Sequence, residues 1–255
     1  MGPFERLGLY LRELPIVEAT AWILLINVAA FIFALGLGHL VILLCRRRYA
    51  FAAPGALSSM EIALALVTVA VNFAVSWVGF IGWKVGFIRI RSESGLQALL
   101  DFAVLFLVMD FLMYVLHRIA HQPWLYPWMH ATHHRYENPR PLSLFVMSPL
   151  ETAAFGLLWI AVLRVYAPTW NGMTLFMAVN MVSGVLGHVG VDPHPGFWSR
   201  VPGLNLVSTS VFHNRHHLER DRNMGFYTVL WDRLFGTLAT PRPISSPMKG
   251  GQGVS

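Results

Sequence analysis

The sequence contains a single cysteine, Cys45, among its 255 residues. One thiol excludes a disulfide framework, a cysteine-based zinc site and an iron–sulfur cluster built within this chain. Charge is also scarce. Asp, Glu, Lys and Arg make up 13%, against roughly a quarter in soluble domains. No His-Glu-x-x-His stretch occurs, and no glutamate lies inside a histidine-rich stretch. A zinc hydrolase would therefore lack its general base. No Gly-x-Gly-x-x-Gly loop is present to hold a dinucleotide. No basic run accompanies a nucleic-acid motif, so no nucleic-acid partner is expected. The net charge of +6 is better placed against anionic lipid headgroups. Lysine is nearly absent. Only Lys84 and Lys249 interrupt an otherwise all-arginine set of 19 basic residues, a bias that suggests a GC-rich, bacterial genome.

What is abundant is apolar sequence, at 55% of the chain. Uncharged runs near or above ~20 residues suggest membrane spans. Ala19 to Cys45 and Ile62 to Trp83 carry no formal charge, and Gln97 to Leu116 is interrupted only by Asp101 and Asp110. Thr152 to Val191 is broken by Arg164 and turns at "APTWNG", so it reads as a hairpin of two spans. The expectation is an all-α integral membrane protein with four to five transmembrane helices. The first run is too long for a signal peptide and leads into "RRR" rather than a cleavage site, so it reads as a retained span. Arg46, Arg47 and Arg48 place that end in the cytoplasm. Lys84, Arg89 and Arg91, in the next loop, conflict with an outer location and suggest a re-entrant or interfacial segment. Residues 1–96 form an N-terminal membrane anchor, 97–240 a catalytic unit, and 241–255, rich in Pro, Gly and Ser, a flexible tail.

The histidines carry the chemistry. "HRIAH" places His117 and His121 four residues apart, on one helix face. "HATHH" holds His130, His133 and His134, and "HNRHH" holds His213, His216 and His217 at the same spacing. His188 follows the hairpin. In the inferred topology all nine fall at cytoplasmic span ends, at one membrane depth, as a histidine-rich helical cap. Nine imidazoles exceed what one tetrahedral ion needs, and the adjacent pairs suit two neighbouring ions. Imidazole suits iron, copper, nickel and zinc alike, so ligand type does not choose the metal. Asp110 lies about two turns below His117 on the stripe Asp110, Tyr114, His117, His121, where a carboxylate can orient an imidazole or a nearby group or pair with another span. His39, alone in mid-span, reads as core packing or a polar contact with another span rather than as a ligand.

The order HxxxH, HxxHH, lone His, HxxHH, with the flanks "DFLMYVLHRIAHQPWLYPWMHATHH" and "FHNRHHLERDRNMGFYTVLWDRLFGT", resembles the sterol desaturase and fatty acid hydroxylase superfamily. The resemblance covers roughly Asp101 to Thr240. It implies a helical membrane anchor, two iron ions and oxidation of a lipid C–H bond with O2. One oxygen atom ends as water, and a separate donor of ferredoxin or cytochrome b5 type supplies electrons. By that resemblance the metal ligands are His117, His121, His130, His133, His134, His188, His213, His216 and His217, with no catalytic residue apart from them. Where fatty acid 2-hydroxylases carry a further histidine, this chain has Asp192, a candidate ligand or acceptor. His194 is a weaker candidate. "HPGF", at residues 194–197, looks like a haem motif but lacks the acidic domain around it and reads as a loop.

These parts lead to hydroxylation of an acyl-chain or sterol-like lipid, with desaturation as the near rival because both begin with hydrogen abstraction. Zinc is expected to occupy the site in some purified preparations. A zinc hydrolase and a non-catalytic metal-binding membrane protein are the alternatives of other classes. Phe102, Phe106, Met109, Met113 and Trp159 are candidate lining for a lipid slot, although such residues in spans usually serve packing. Arg118 and Arg215 are expected to face headgroups or a redox partner, and "WDRLFGT" to pack the cap shut. The bacterial inner membrane is favoured over the endoplasmic reticulum.

Overall fold

The computed structural model describes residues 2–45, 53–92, 95–194 and 198–239. Arg46 to Arg48, the tail beyond residue 239 and most of "HPGF" lie outside them. The described residues are all-helical apart from turns and isolated bridges: α1 (Pro3–Glu13), α2 (Ile16–Leu44), α3 (Ser59–Lys84), α4 (Leu96–Ala120), α5 (Tyr126–Met129), α6 (Ala131–His134), α7 (Pro149–Val165), α8 (Trp170–Gly187), α9 (Ser210–Leu218) and α10 (Leu230–Phe235). A 3₁₀ turn, Pro141–Phe145, leads into α7.

Caps decide where these helices start. Ser58 accepts from the Glu61 backbone N–H at 3.2 Å, and the Glu61 carboxylate takes the Ser58 N–H at 2.9 Å, a reciprocal capping box. Ser148 starts α7 ahead of Pro149, accepting from the Glu151 N–H. Thr169 and Thr209 cap α8 and α9 in the same way.

Three helices, α2, α3 and α4, are long and apolar enough to cross a membrane. At about 1.5 Å per residue they exceed the ~30 Å hydrocarbon thickness. Large apolar side chains such as Leu25, Phe33 and Leu66 are exposed along α2 and α3, as lipid-facing residues are. The hairpin expected from "APTWNG" is present as α7 and α8, but its helices have only 17 and 18 residues. Among the described residues, three helices therefore meet the length and apolarity of a span, where the sequence pattern led to an expectation of four to five.

α4 packs mainly on α8, and α3 on α7 and α2. Leu105, Met109, Met113, Val162, Phe176 and Tyr227 form the core beneath the cap, with Phe102, Phe106 and Trp159 packed against it. The five residues named as candidate slot lining are thus packed into this core. Two glycines permit the close approaches. A Cβ at Gly156 would stand 2.7 Å from a Val75 methyl, and one at Gly172 would stand 2.7 Å from the Ala98 carbonyl oxygen.

The basic loop before α4 does not stand free. Lys84 donates to the carbonyls of Arg12 and Leu14. Arg91 donates to both oxygens of Asp101 at 3.0 Å, and the Gln97 side-chain amide, the Tyr166 hydroxyl and the Thr169 N–H donate to the same carboxylate. Internal carbonyls and a buried carboxylate thus balance two of the three charges that conflicted with an outer loop.

Candidate metal centre

Four elements deliver nine imidazoles to one place. His117 sits on the last turn of α4, and His121 caps it one turn on. His130 lies at the break between α5 and α6, with φ −122° and ψ −15°. His133 and His134 end α6, His188 caps α8, and His213, His216 and His217 lie on α9. The imidazoles fall into two groups: His117, His121, His130, His134 and His216, and His133, His188, His213 and His217. Within each group the candidate ligand atoms all lie within 4.8 Å of one another.

The split follows from helix geometry. Adjacent residues point about 100° apart around a helix, and residues four apart share a face. His133 and His134 therefore part company, as do His216 and His217, while His213 and His217 stay together with Nε2 atoms 3.1 Å apart.

The other ring nitrogens are fixed from outside. Nδ1 lies 2.8 Å from the Met224 carbonyl oxygen in His117, 3.2 Å from that of Val146 in His133, 2.8 Å from that of Gly184 in His188 and 2.7 Å from that of Arg222 in His216. His130 Nδ1 lies 2.6 Å from Glu151 Oε1. A carbonyl or carboxylate only accepts, so each of these Nδ1 atoms carries the proton. Each Nε2 is left with a lone pair directed inward.

Those lone pairs meet. Nε2 atoms of His117 and His130 are 2.8 Å apart and those of His133 and His188 are 3.4 Å apart. The Nε2 of His134, whose Nδ1 has no partner among the described residues to fix its tautomer, stands 3.0 Å from that of His216. Facing lone pairs repel unless a cation lies between them. Two imidazoles bound ~2.1 Å from one ion stand about 3.0 Å apart at right angles and about 3.4 Å apart at the tetrahedral angle. The donor set and its spacing fit metal ions.

Burial keeps the rings neutral, as ligation requires. Desolvation, reinforced by neighbouring imidazoles, pushes His133 down to about 3 and His134 to about 2. It pushes His188 to about 4, and His121, beside Arg220, also to about 4. His130, His213, His216 and His217 fall well below the usual histidine value for the same reason.

The sequence model of the fatty acid hydroxylase family matches residues 102–237. The chain belongs to the fatty acid hydroxylase family. Among its curated relatives are a cholesterol 25-hydroxylase-like protein of Danio rerio, 32% identical over 56% of this chain and 57% of the relative. The methylsterol monooxygenase 2-2 of Arabidopsis thaliana is 32% identical over 52% of this chain and 50% of its own length. A Delta(7)-sterol 5(6)-desaturase of Leptosphaeria maculans is 27% identical over 52% of this chain and 35% of that protein. The chain thus spans about half the length, or less, of these relatives. No solved structure shows a significant match.

Within this member of the fatty acid hydroxylase family, four residues singled out from sequence, Asp110, Asp192, His194 and His39, stand outside both histidine groups. Asp110 reaches no imidazole. It accepts instead from the backbone N–H groups of Tyr227 and Thr228, the Thr228 hydroxyl and Trp231 Nε1. This is the contact with a nearby group, because the chain after α9 folds back over α4. Asp192, with its side chain 44% exposed, bonds the backbone N–H and ring of His194; the two residues satisfy each other on a loop. His39 bonds its own helix at Leu35. Arg118 reaches toward the Tyr114 hydroxyl and Arg215 pairs with Glu219. Sequence reasoning missed Glu151. Its spacing from Ser148 is legible as a helix start, whereas its contact with His130 depends on how α7 approaches α6.

Proposed function

We propose that this chain is an O2-dependent di-iron lipid oxygenase that hydroxylates an unactivated C–H bond of a sterol-like or acyl-chain lipid. The observation that carries the proposal is the sorting of nine inward-facing imidazoles into two adjoining groups. His117, His121, His130, His134 and His216 hold one ion, and His133, His188, His213 and His217 hold the other. Imidazole also accepts zinc, so purified protein can carry zinc in place of iron. When bound, the metal pair supplies the reduction of O2 that C–H oxidation requires. One oxygen atom enters the C–H bond as a hydroxyl and the other leaves as water, with the electrons drawn from an external donor of ferredoxin or cytochrome b5 type.

The protein's own part is to orient the imidazoles, exclude water and present the lipid. The carbonyls of Met224, Val146, Gly184 and Arg222 hold the rings in register. Met113 lies one turn before His117 on α4, so the core it shares with Met109, Phe176 and Tyr227 adjoins the histidines. Residues 97–240 form the catalytic unit and 1–96 its anchor. The site faces the cytoplasm, in a bacterial inner membrane. The relatives named for sterol hydroxylation and sterol desaturation support a lipid substrate and keep desaturation as the rival outcome.

Lipid mass spectrometry of cells with and without the protein tests this. A lipid gaining the mass of one oxygen is expected. Loss of two hydrogens would replace hydroxylation with desaturation. One zinc per chain, with no iron dependence of activity in cells, would sink the di-iron reading. Retained metal without any O2 uptake or lipid change would identify a metal-binding protein without catalysis.

A further inference from the structure

The two histidine groups differ in one respect that their ligand counts do not convey. Of the five imidazoles whose Nδ1 partner is identified, four rest on backbone carbonyls and one rests on a carboxylate. That carboxylate is Glu151. It is 2% exposed, its Oε1 lies 2.6 Å from His130 Nδ1, and its Oε2 is buried without a hydrogen-bond partner. Among the described residues no arginine or lysine forms an ion pair with it. In the same first turn of α7, Ser148 accepts the Glu151 backbone N–H and donates to the Met129 carbonyl. One serine thus ties the start of α7 to the residue before His130 and sets the carboxylate against the ring.

A carboxylate behind an imidazole differs physically from a carbonyl. Burial pushes the Glu151 carboxyl well above the usual carboxylate range, and a cation on the far side of the ring favours its ionised form, which sets a full negative charge against the N–H in surroundings that screen it poorly. The ring becomes a more basic donor through its far nitrogen, and the charge lowers the energy of any cation bound there. A lone buried carboxylate is costly, and it becomes favourable once a divalent cation lies on the other side of the ring. No corresponding carboxylate touches His133, His188, His213 or His217 among the described residues.

We infer that Glu151 is a positioning residue that makes the two metal positions unequal. Through His130 it causes the five-histidine group to fill first and release its ion last. This rests on the two-metal reading proposed above.

The full chain, purified in detergent and loaded anaerobically with ferrous iron, tests the inference without reference to turnover. Wild-type protein challenged with a ferrous chelator should lose two ions in separate phases, and His188→Ala should lack the fast one. Glu151→Gln keeps the side chain's shape but removes its charge. It should speed the slow phase about 10- to 100-fold, the range typical of such outer contacts, with Glu151→Asp recovering part of the loss. Two phases unchanged in Glu151→Gln would overturn the role of Glu151. One ion per wild-type chain would overturn the two-metal reading, and the inference with it. Should the variants fail to fold, Mössbauer spectra of the wild type during stepwise addition of iron decide the matter. One signal should grow first and a second only beyond one equivalent, and simultaneous growth of both would overturn the inference.

Discussion

At the residue scale, the arrangement assigns separate losses to adjacent histidines. His133 and His216 belong to different groups, so His133→Ala and His216→Ala should each abolish product formation while leaving membrane insertion intact. Near-normal turnover in either variant would remove that residue from the ligand set. Acid provides a second test. His121, His133 and His188 sit at about 4, 3 and 4 in the fold, below the 6.5 of an unperturbed histidine. Below pH 6.5 the unfolded chain binds protons that the fold resists, so stability falls with pH through about 4 and on toward 3. Above pH 6.5 these groups contribute no slope. Thermal unfolding of metal-free protein in detergent should be flat from pH 8 to 7 and fall by pH 5; a melting temperature that rises on acidification would contradict the neutral cluster.

At the element scale, the segment after α9 is a clasp held at two carboxylates. Asp110 takes four donors from Tyr227, Thr228 and Trp231. Asp232 takes the backbone N–H groups of Met224 and Gly225 and the Thr237 hydroxyl. This clasp brings the Met224 carbonyl to His117 and the Arg222 carbonyl to His216. Asp110→Ala would leave several buried donors unpaired, at a cost of about 1–3 kcal/mol for each. The variant should melt several degrees lower and expose residues 222–237 to faster hydrogen exchange. Protection unchanged in that segment would show that the clasp does not depend on Asp110. The clasp also accounts for "WDRLFGT", which sequence alone identified as a closing segment without naming its partners.

At the scale of the whole molecule, one side of the membrane should hold both the end of α2 and the histidine cap. Cys45 packs with Val185, Val189 and Val191, beside His188, and it is the single cysteine. A membrane-impermeant maleimide should therefore label Cys45 only from the side that bears the cap, expected to be the cytoplasm. Labelling in right-side-out vesicles, and not in inverted ones, would reverse that orientation.

The residue pattern alone determined the helical class, the apolar runs that became α2 to α4, the hairpin turn and the nine histidines. These are local properties: helix periodicity sets which residues share a face, and a run of uncharged side chains declares itself without partners. The sorting of the histidines into groups of five and four was decided only in three dimensions, because it depends on how α4, α6, α8 and α9 converge. The same is true of Asp110, whose place on the α4 stripe allowed an imidazole partner or another one. It was settled by a segment 117 residues away in sequence. Glu151 lay hidden as an ordinary cap residue until α7 met His130. Long-range contacts between polar groups leave no periodic trace in a sequence, since either partner alone looks like a cap, a turn or an isolated charge.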